Sequence, residues 1–343
     1  MSAKVTTVPG QSLLAVDGVP TYLHGANYAW NNYAEFGEVA TWQNPGANRV
    51  FNHQPKIETD FQQLAGQGLT AVRWFLFTDG RNGIQFDPTT KLPTGLTPGV
   101  LEDMDTALAI ARTHGIRVIF SVLDFMVMRK DSTQGTRAHP EILTASGQQA
   151  FLQNVLGPVL AHYAHEDSIL AWEVMNEPEW VISEFLNSTA QFVTLPFQNF
   201  AEFTKSFANA VHQSTDALVT VGGADPRYIS EWDKIDLGLD FCQVHCYYNP
   251  QIHDPGQDLY GKTAASYRVQ HPLLIGEVPG KNDPHIPSID LGSWLNFAFG
   301  NGYAGLWPWA LTVDGGPYTP YDSASMLTFA RQHPEVSNPA ALQ

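Results

Sequence analysis

The chain has 343 residues, with 18 Lys and Arg against 34 Asp and Glu, a formal net charge of −16. A balance this acidic argues against a nucleic-acid backbone or an anionic membrane surface as partner. The length suits one large domain or two modest ones, 43% apolar residues supply a full core, and no stretch is long and apolar enough to span a bilayer.

The first ten residues, MSAKVTTVPG, lack the basic and apolar regions of a signal peptide. This fits either a cytoplasmic home or secretion after removal of a signal. Short alternating segments up to residue 20 predict a small hairpin, placed to close one end of the fold. Tyr22–Tyr28 reads as a strand. The segment Ala29 to Pro55 then carries Trp30, Tyr33, Phe36, Trp42 and Phe51 among Asn, Gly and Pro. Loops of that length inside a compact domain usually serve function, and these aromatics make either a ligand platform or a satellite core. Ile57, Phe61 and Leu64 give a helix over 56–65, ended by Gly66 and Gly68.

Ala71–Leu76 is the next strand, with Arg73 on one face, and a Gly-, Pro- and Asp-rich loop runs from Thr78 to Pro98. A helix over 100–114 and a strand over Arg117–Leu123, ending at Asp124, follow. A helix over 151–165 carries Pro158, which predicts a kink or break. Ile169–Trp180, ILAWEVMNEPEW, runs apolar and stops at Asn176-Glu177-Pro178, because proline cannot donate to a sheet ladder. A helix over 197–213 has Phe200, Phe203, Phe207 and Val211 in register. Strands at 218–222 and 241–247 follow. Cys242 and Cys246 on the latter are roughly 13 Å apart at about 3.3 Å per residue, too far for a disulfide, so two buried thiols are expected. Pro272–Glu277 is a further strand, followed by a helix over 287–299, a strand over 305–310 and a closing helix over 324–332. Eight strands alternating with helical patterns predict a parallel α/β sheet, and active groups at strand tips favour closure into a single-domain (β/α)8 TIM barrel.

The chemistry lies at two strand ends. Glu177 and Glu277 each terminate an apolar strand at its C-terminal tip. Two such carboxylates suit retaining glycoside hydrolysis: one attacks the sugar carbon while the other protonates the leaving oxygen and later activates water. Taken singly, each is an ordinary strand-end residue.

With W-E-V-M-N-E-P on one strand and L-L-I-G-E on a later one, the chain resembles the glycoside hydrolases of clan A, especially family 5. The resemblance covers most of the chain. It implies an acid/base at Glu177 on strand four and a nucleophile at Glu277 on strand seven, with no metal or cofactor. Arg73 would keep Glu277 ionised, or else form a buried ion pair with Glu173. Asn176 would bond the sugar 2-hydroxyl. His245 and Tyr247 share a face by the two-residue repeat and match an H-x-Y pair of the family, whose Tyr hydroxyl touches the nucleophile. Trp307 and Trp309 share another face, and Trp309 better matches the ring that stacks on sugar. Trp180 and Trp232 are further subsite candidates. Where mannanase-like members often carry Arg after Asn-Glu-Pro, this chain has Glu179, and Asp124 stands where His or Asn is common. Both departures fall on expected subsite walls.

The implied activity is retaining β-glycoside hydrolysis of mannan- or glucan-type carbohydrate. The alternatives are an exo-acting β-glycosidase on short sugars or glycoconjugates, and a carbohydrate-binding barrel without catalysis. His162 and His165, three apart on a helix, have no third metal ligand nearby and read as a solvated face. Nothing in the sequence sets the oligomeric state.

Overall fold

The computed structural model describes residues 5–7, 12–38, 48–130, 138–185, 190–247, 259–281, 289–312, 316 and 318–337. Eight parallel strands close into a barrel. In chain order they are β4 (Leu23–Asn27), β5 (Ala71–Phe75), β8 (Arg117–Asp124), β9 (Ile169–Asn176), β10 (Leu218–Gly223), β11 (Cys242–His245), β12 (Leu273–Pro279) and β13 (Gly305–Trp309). Each pairs with its sequence neighbour, and β13 closes onto β4 through Gly305–Leu23 and Leu306–His24.

Helices cover the outside. α1 (Gln54–Gly66) takes Pro55 in its first turn, where the missing N–H is harmless, and α2 (Val100–Thr113) opens with Glu102 and Asp103 against the helix dipole. α3 (Ala145–Phe151) and α4 (Gly157–His162) are joined through a π-helical stretch over Leu152–Leu156. The expected disruption at Pro158 is thus taken up by a widened turn rather than a break. α5 (Phe197–Ser214) buries Phe200, Phe203, Phe207 and Val211 as its spacing requires.

The expected N-terminal hairpin is a three-stranded antiparallel sheet, β1 (Val5–Thr7), β2 (Leu14–Val16) and β3 (Val19–Thr21). Its Val5, Leu14 and Val16 join Leu23, Ala71, Ile119, Leu170, Leu218, Phe241, Leu274 and Trp307 in one apolar cluster, which fills the end of the barrel where the strands begin. The segment after β5 is not all loop: it holds a hairpin of β6 (Ile84–Phe86) and β7 (Pro93–Leu96). Both cysteines are buried, and neither is in a disulfide. Among the described residues no helix is long and apolar enough to cross a membrane.

Candidate active site

The upper half of the barrel interior is built around Arg73, a fully buried guanidinium on β5. Its Nε and Nη2 donate to the two oxygens of Glu173 at 2.6 Å each. Its Nη1 donates to Glu277 Oε1 at 2.6 Å, and Nη2 also reaches Asn176 Oδ1 at 2.6 Å. Arg73 thus pairs with Glu173 below and with Glu277 above. A cation with two carboxylates is what keeps so many buried charges tolerable. Ser121 and Gln243 donate to Glu173 as well, which completes its shell. Gly222 makes room for the pair, because a Cβ there would sit 2.8 Å from Glu173 Oε1 and 3.1 Å from Arg73 Nη2.

Glu177 follows β9 with φ 47° and ψ 48°, the left-handed region, which costs an ordinary residue roughly 1–2 kcal/mol. Its N–H donates to Gly222 O at 2.6 Å, and Pro178 follows it. Strain of this kind, held by the surrounding backbone, is common where a side chain must be aimed. Trp180 Nε1 donates to Glu177 Oε2 at 2.9 Å, and His245 Nδ1 lies 2.9 Å from Glu177 Oε1 and 3.3 Å from Glu277 Oε1. Tyr247, just past β11, donates to Glu277 Oε2 at 2.9 Å. Glu177, His245 and Glu277 each place one polar atom within 4.8 Å of the others.

Burial pushes the Glu177 carboxyl up to about 7, against the pull of the Trp180 hydrogen bond and of Arg73. Burial also raises Glu277, while His245, Arg73 and the Tyr247 hydroxyl hold it back. His245 is pushed down to about 4 by burial, so its ring is neutral at ordinary pH. Asp124 accepts from Asn176 Nδ2 at 2.6 Å, and burial raises it to about 8. Asn176 thus has its amide orientation set from both sides, by Arg73 at the oxygen and Asp124 at the nitrogen.

A cavity of about 410 Å3 opens above these groups, with Asp124, Asn176, Glu177, Glu277, Trp30 and Trp309 in its wall. The rings of Trp30 and Trp309 meet edge to face at 5.8 Å. Trp307 is corrected: it is fully buried in the lower cluster, its Nε1 donating to Leu23 O at 3.0 Å, and it does not reach the cavity. Trp232 is likewise buried, with Nε1 on Glu179 Oε1 at 2.7 Å. Glu179 is not a wall residue either, since it is buried and also accepts from Ala224 N, and burial raises it to about 7. Trp180 touches Glu177 rather than lining the cavity. Trp42 lies outside the described residues.

Tyr33, one of the aromatics singled out in the segment after β4, lies in the cavity wall, whereas sequence reasoning missed Phe75, Asp79, Arg81, Phe125 and Arg129. All of these but Phe75 lie in segments just after β5 and β8, on the face where barrel sites form. Position relative to strand ends was the signal available for them.

No protein-family model matches the chain. It is 25% identical over 332 residues to a mannan endo-1,4-beta-mannosidase of Mytilus edulis, covering 87% of this chain and 86% of that one. Its fold matches the X-ray structure of a beta-mannanase from the blue mussel Mytilus edulis with a TM-score of 0.78 at 22% identity, over 98% of this chain and 97% of the other. It also matches the crystal structure of a beta-1,4-D-mannanase from Cryptopygus antarcticus, with a TM-score of 0.78 at 19% identity over 96% and 95% of the two chains. In sequence along most of its length, and in its closed eight-stranded barrel, the chain resembles the clan A glycoside hydrolases, closest to family 5.

Proposed function

We propose that this protein is a retaining β-glycoside hydrolase that cleaves β-1,4-linked mannan within the polymer. The observation that carries the reaction is the approach of the Glu177 and Glu277 carboxylates, one oxygen of each lying within 4.8 Å of the other. Inverting enzymes leave about 6.5–9.5 Å for a water between theirs, and retaining ones about 5–5.5 Å. Mannan as substrate is supported by the name of the mussel relative.

In the first step a Glu277 oxygen attacks the anomeric carbon. The bond to the leaving oxygen breaks, and that oxygen takes the proton of Glu177. A carboxyl that titrates near 7 holds a proton in much of the population at neutral pH, which general-acid work needs. In the second step Glu177 removes a proton from water, the water oxygen bonds to the anomeric carbon, and Glu277 is released as carboxylate. Neutral His245 suits both states of Glu177. Its Nδ1 donates to the carboxylate in one tautomer and accepts from the carboxylic acid in the other. Asn176 would bond the 2-hydroxyl and Trp309 would stack on the sugar ring.

Glu277→Ala is expected to abolish turnover, with azide restoring some activity and giving product of inverted configuration. Glu177→Ala is expected to keep the first step on activated aryl glycosides and stall at deglycosylation. Identical behaviour of the two variants across leaving groups would remove the assignment of roles. Carbohydrate binding without hydrolysis by the wild type would remove the enzyme reading in favour of a carbohydrate-binding barrel.

The cavity walls favour a second reading. Trp30 and Tyr33 follow β4, and Thr78, Asp79 and Arg81 follow β5; together they wall the site. Walls of this kind favour attack at chain ends or on short sugars. A viscometric assay on mannan separates the two. A rapid fall in viscosity with mixed oligosaccharides supports internal cleavage, whereas small sugars released from the outset at nearly constant viscosity support the second reading.

A further inference from the structure

We propose that Asp233, Cys242 and His271 form a binding site for a divalent cation of the zinc class, outside the barrel and apart from the catalytic cleft. The three come from different elements: the last residue of α6 (Ile229–Asp233), the first residue of β11, and the turn that leads into β12. Each offers one donor atom, and the three atoms lie within 4.8 Å of one another. Asp233 Oδ1 sits between the other two, 3.7 Å from Cys242 Sγ and 2.7 Å from His271 Nδ1.

Tetrahedral zinc, with bonds of about 2.0–2.3 Å, holds its ligand atoms roughly 3.4–3.6 Å apart. The sulfur-to-oxygen spacing is therefore close to that of a coordinated pair. The His–Asp pair must open by about 0.7 Å on the same geometry, as the cation takes the place of the Nδ1 proton, which moves to Nε2. Cys242 gives up its thiol proton to solvent on binding, and thiolate plus carboxylate neutralise the cation.

The site also has an outer partner. Gln270 N–H donates to Asp233 Oδ2 at 2.9 Å, which fixes the carboxylate and leaves Oδ1 aimed at the other two donors. Cys242 is buried while the His271 side chain is 40% exposed, so a cation has a way in and a water can take the fourth position. Thiolate with imidazole selects zinc-like ions over magnesium or calcium. Glu177, His245 and Glu277 also converge within 4.8 Å, but with oxygen and nitrogen donors only. A cation there would occupy the reacting carboxylates, so it would block hydrolysis.

The test titrates the metal-free full chain with cadmium, following the thiolate-to-cadmium charge-transfer absorption, and with zinc by calorimetry. The expected result is one equivalent bound, with the absorption present in wild type and absent in Cys242→Ser. Zinc affinity should fall by more than about 100-fold in His271→Ala, beyond the loss expected for an outer partner. Hydrolysis should stay within two-fold of wild type, and zinc should raise the melting temperature of wild type but not of His271→Ala. His271 is partly exposed, so that variant keeps the test intact where Cys242→Ser folds poorly. The proposal is overturned by absence of the absorption in folded wild type, by its survival in Cys242→Ser, or by zinc affinity unchanged in His271→Ala. Zinc affinity that collapses in Glu177→Gln but not in His271→Ala would also overturn it, because the metal would then lie in the cleft.

Discussion

The two halves of the barrel interior are lined by the same strands and held together by opposite means. The lower half, with Leu23, Ala71, Ile119, Leu170, Leu218, Phe241, Leu274 and Trp307, is close-packed apolar volume. The upper half holds Arg73, Glu173, Asn176, His245 and Glu277, all buried and tied by direct hydrogen bonds. The lower half tolerates small errors of shape at a graded cost, since the penalty for a cavity grows with its volume. The upper half tolerates almost none, because removing one partner leaves an uncompensated charge. A chain that must place two carboxylates against each other in a dry interior needs the lower half to hold the strands while the upper half is electrostatically balanced.

The largest expected effect breaks the upper half at its centre. Arg73→Met leaves Glu173 and Glu277 buried without their cation and should cost about 3–5 kcal/mol of stability, measured by urea denaturation. It should also abolish hydrolysis. In the lower half, Trp307→Ala should cost a similar 3–5 kcal/mol through an unfilled cavity, read by the same denaturation curves. Its folded fraction should keep the wild-type pH profile. Two residues along the strand, Trp309→Ala should barely move stability and instead reduce kcat/KM roughly 10- to 200-fold, the range for trimming apolar surface from a substrate pocket. Reversal of that pattern between the two tryptophans would overturn the division of the barrel into a packed half and a reactive half.

Smaller and more telling is Glu173→Gln. Arg73 now divides its charge between two carboxylates, and Glu173 also raises Glu177 directly. With that negative charge removed, both Glu277 and Glu177 should ionise more easily. Both limbs of the kcat/KM profile should then move to lower pH, whereas a purely structural role would lower the curve without shifting it.

The smallest effect is on stability against pH. Burial raises Glu177 and Glu179 to about 7 and Glu35 and Asp124 to about 8. For such acids the native state holds protons that the unfolded chain has released. Their contribution is complete below the ordinary carboxylate range and is lost as pH rises through the raised values. His24 and His245, both pushed down to about 4, act oppositely below the ordinary histidine range. Four acids outweigh two histidines, so the melting temperature should fall between pH 5 and pH 8. Glu35→Gln should flatten that fall.

What the sequence revealed follows the same division. Strand tips were legible because Pro178 stops β9 and because apolar runs end on Glu177 and Glu277. Inward faces were legible from the two-residue repeat. Depth was not. Trp307 and Trp309 share a face, yet one plugs the lower cluster and the other walls the cavity, because height in a barrel depends on strand tilt and stagger, which no local pattern records. Glu179 and Trp232 were misplaced for a related reason. Their partnership joins the end of β9 to a segment beyond β10, and neither neighbourhood alone shows it. The hairpin of β6 and β7 was hidden by its length of three and four residues in a Gly- and Pro-rich stretch.

Gly222 carries one more consequence. It bears no side chain, and beyond a backbone carbonyl that any residue would supply it offers only room, yet a single methyl there would strike Glu173. In a saturation library this position should look as unforgiving as Glu277 itself. A reader of such data who ranks positions by intolerance alone would place a residue without chemistry among the catalysts. Measured one change at a time, emptiness and reactivity leave the same mark on a sequence.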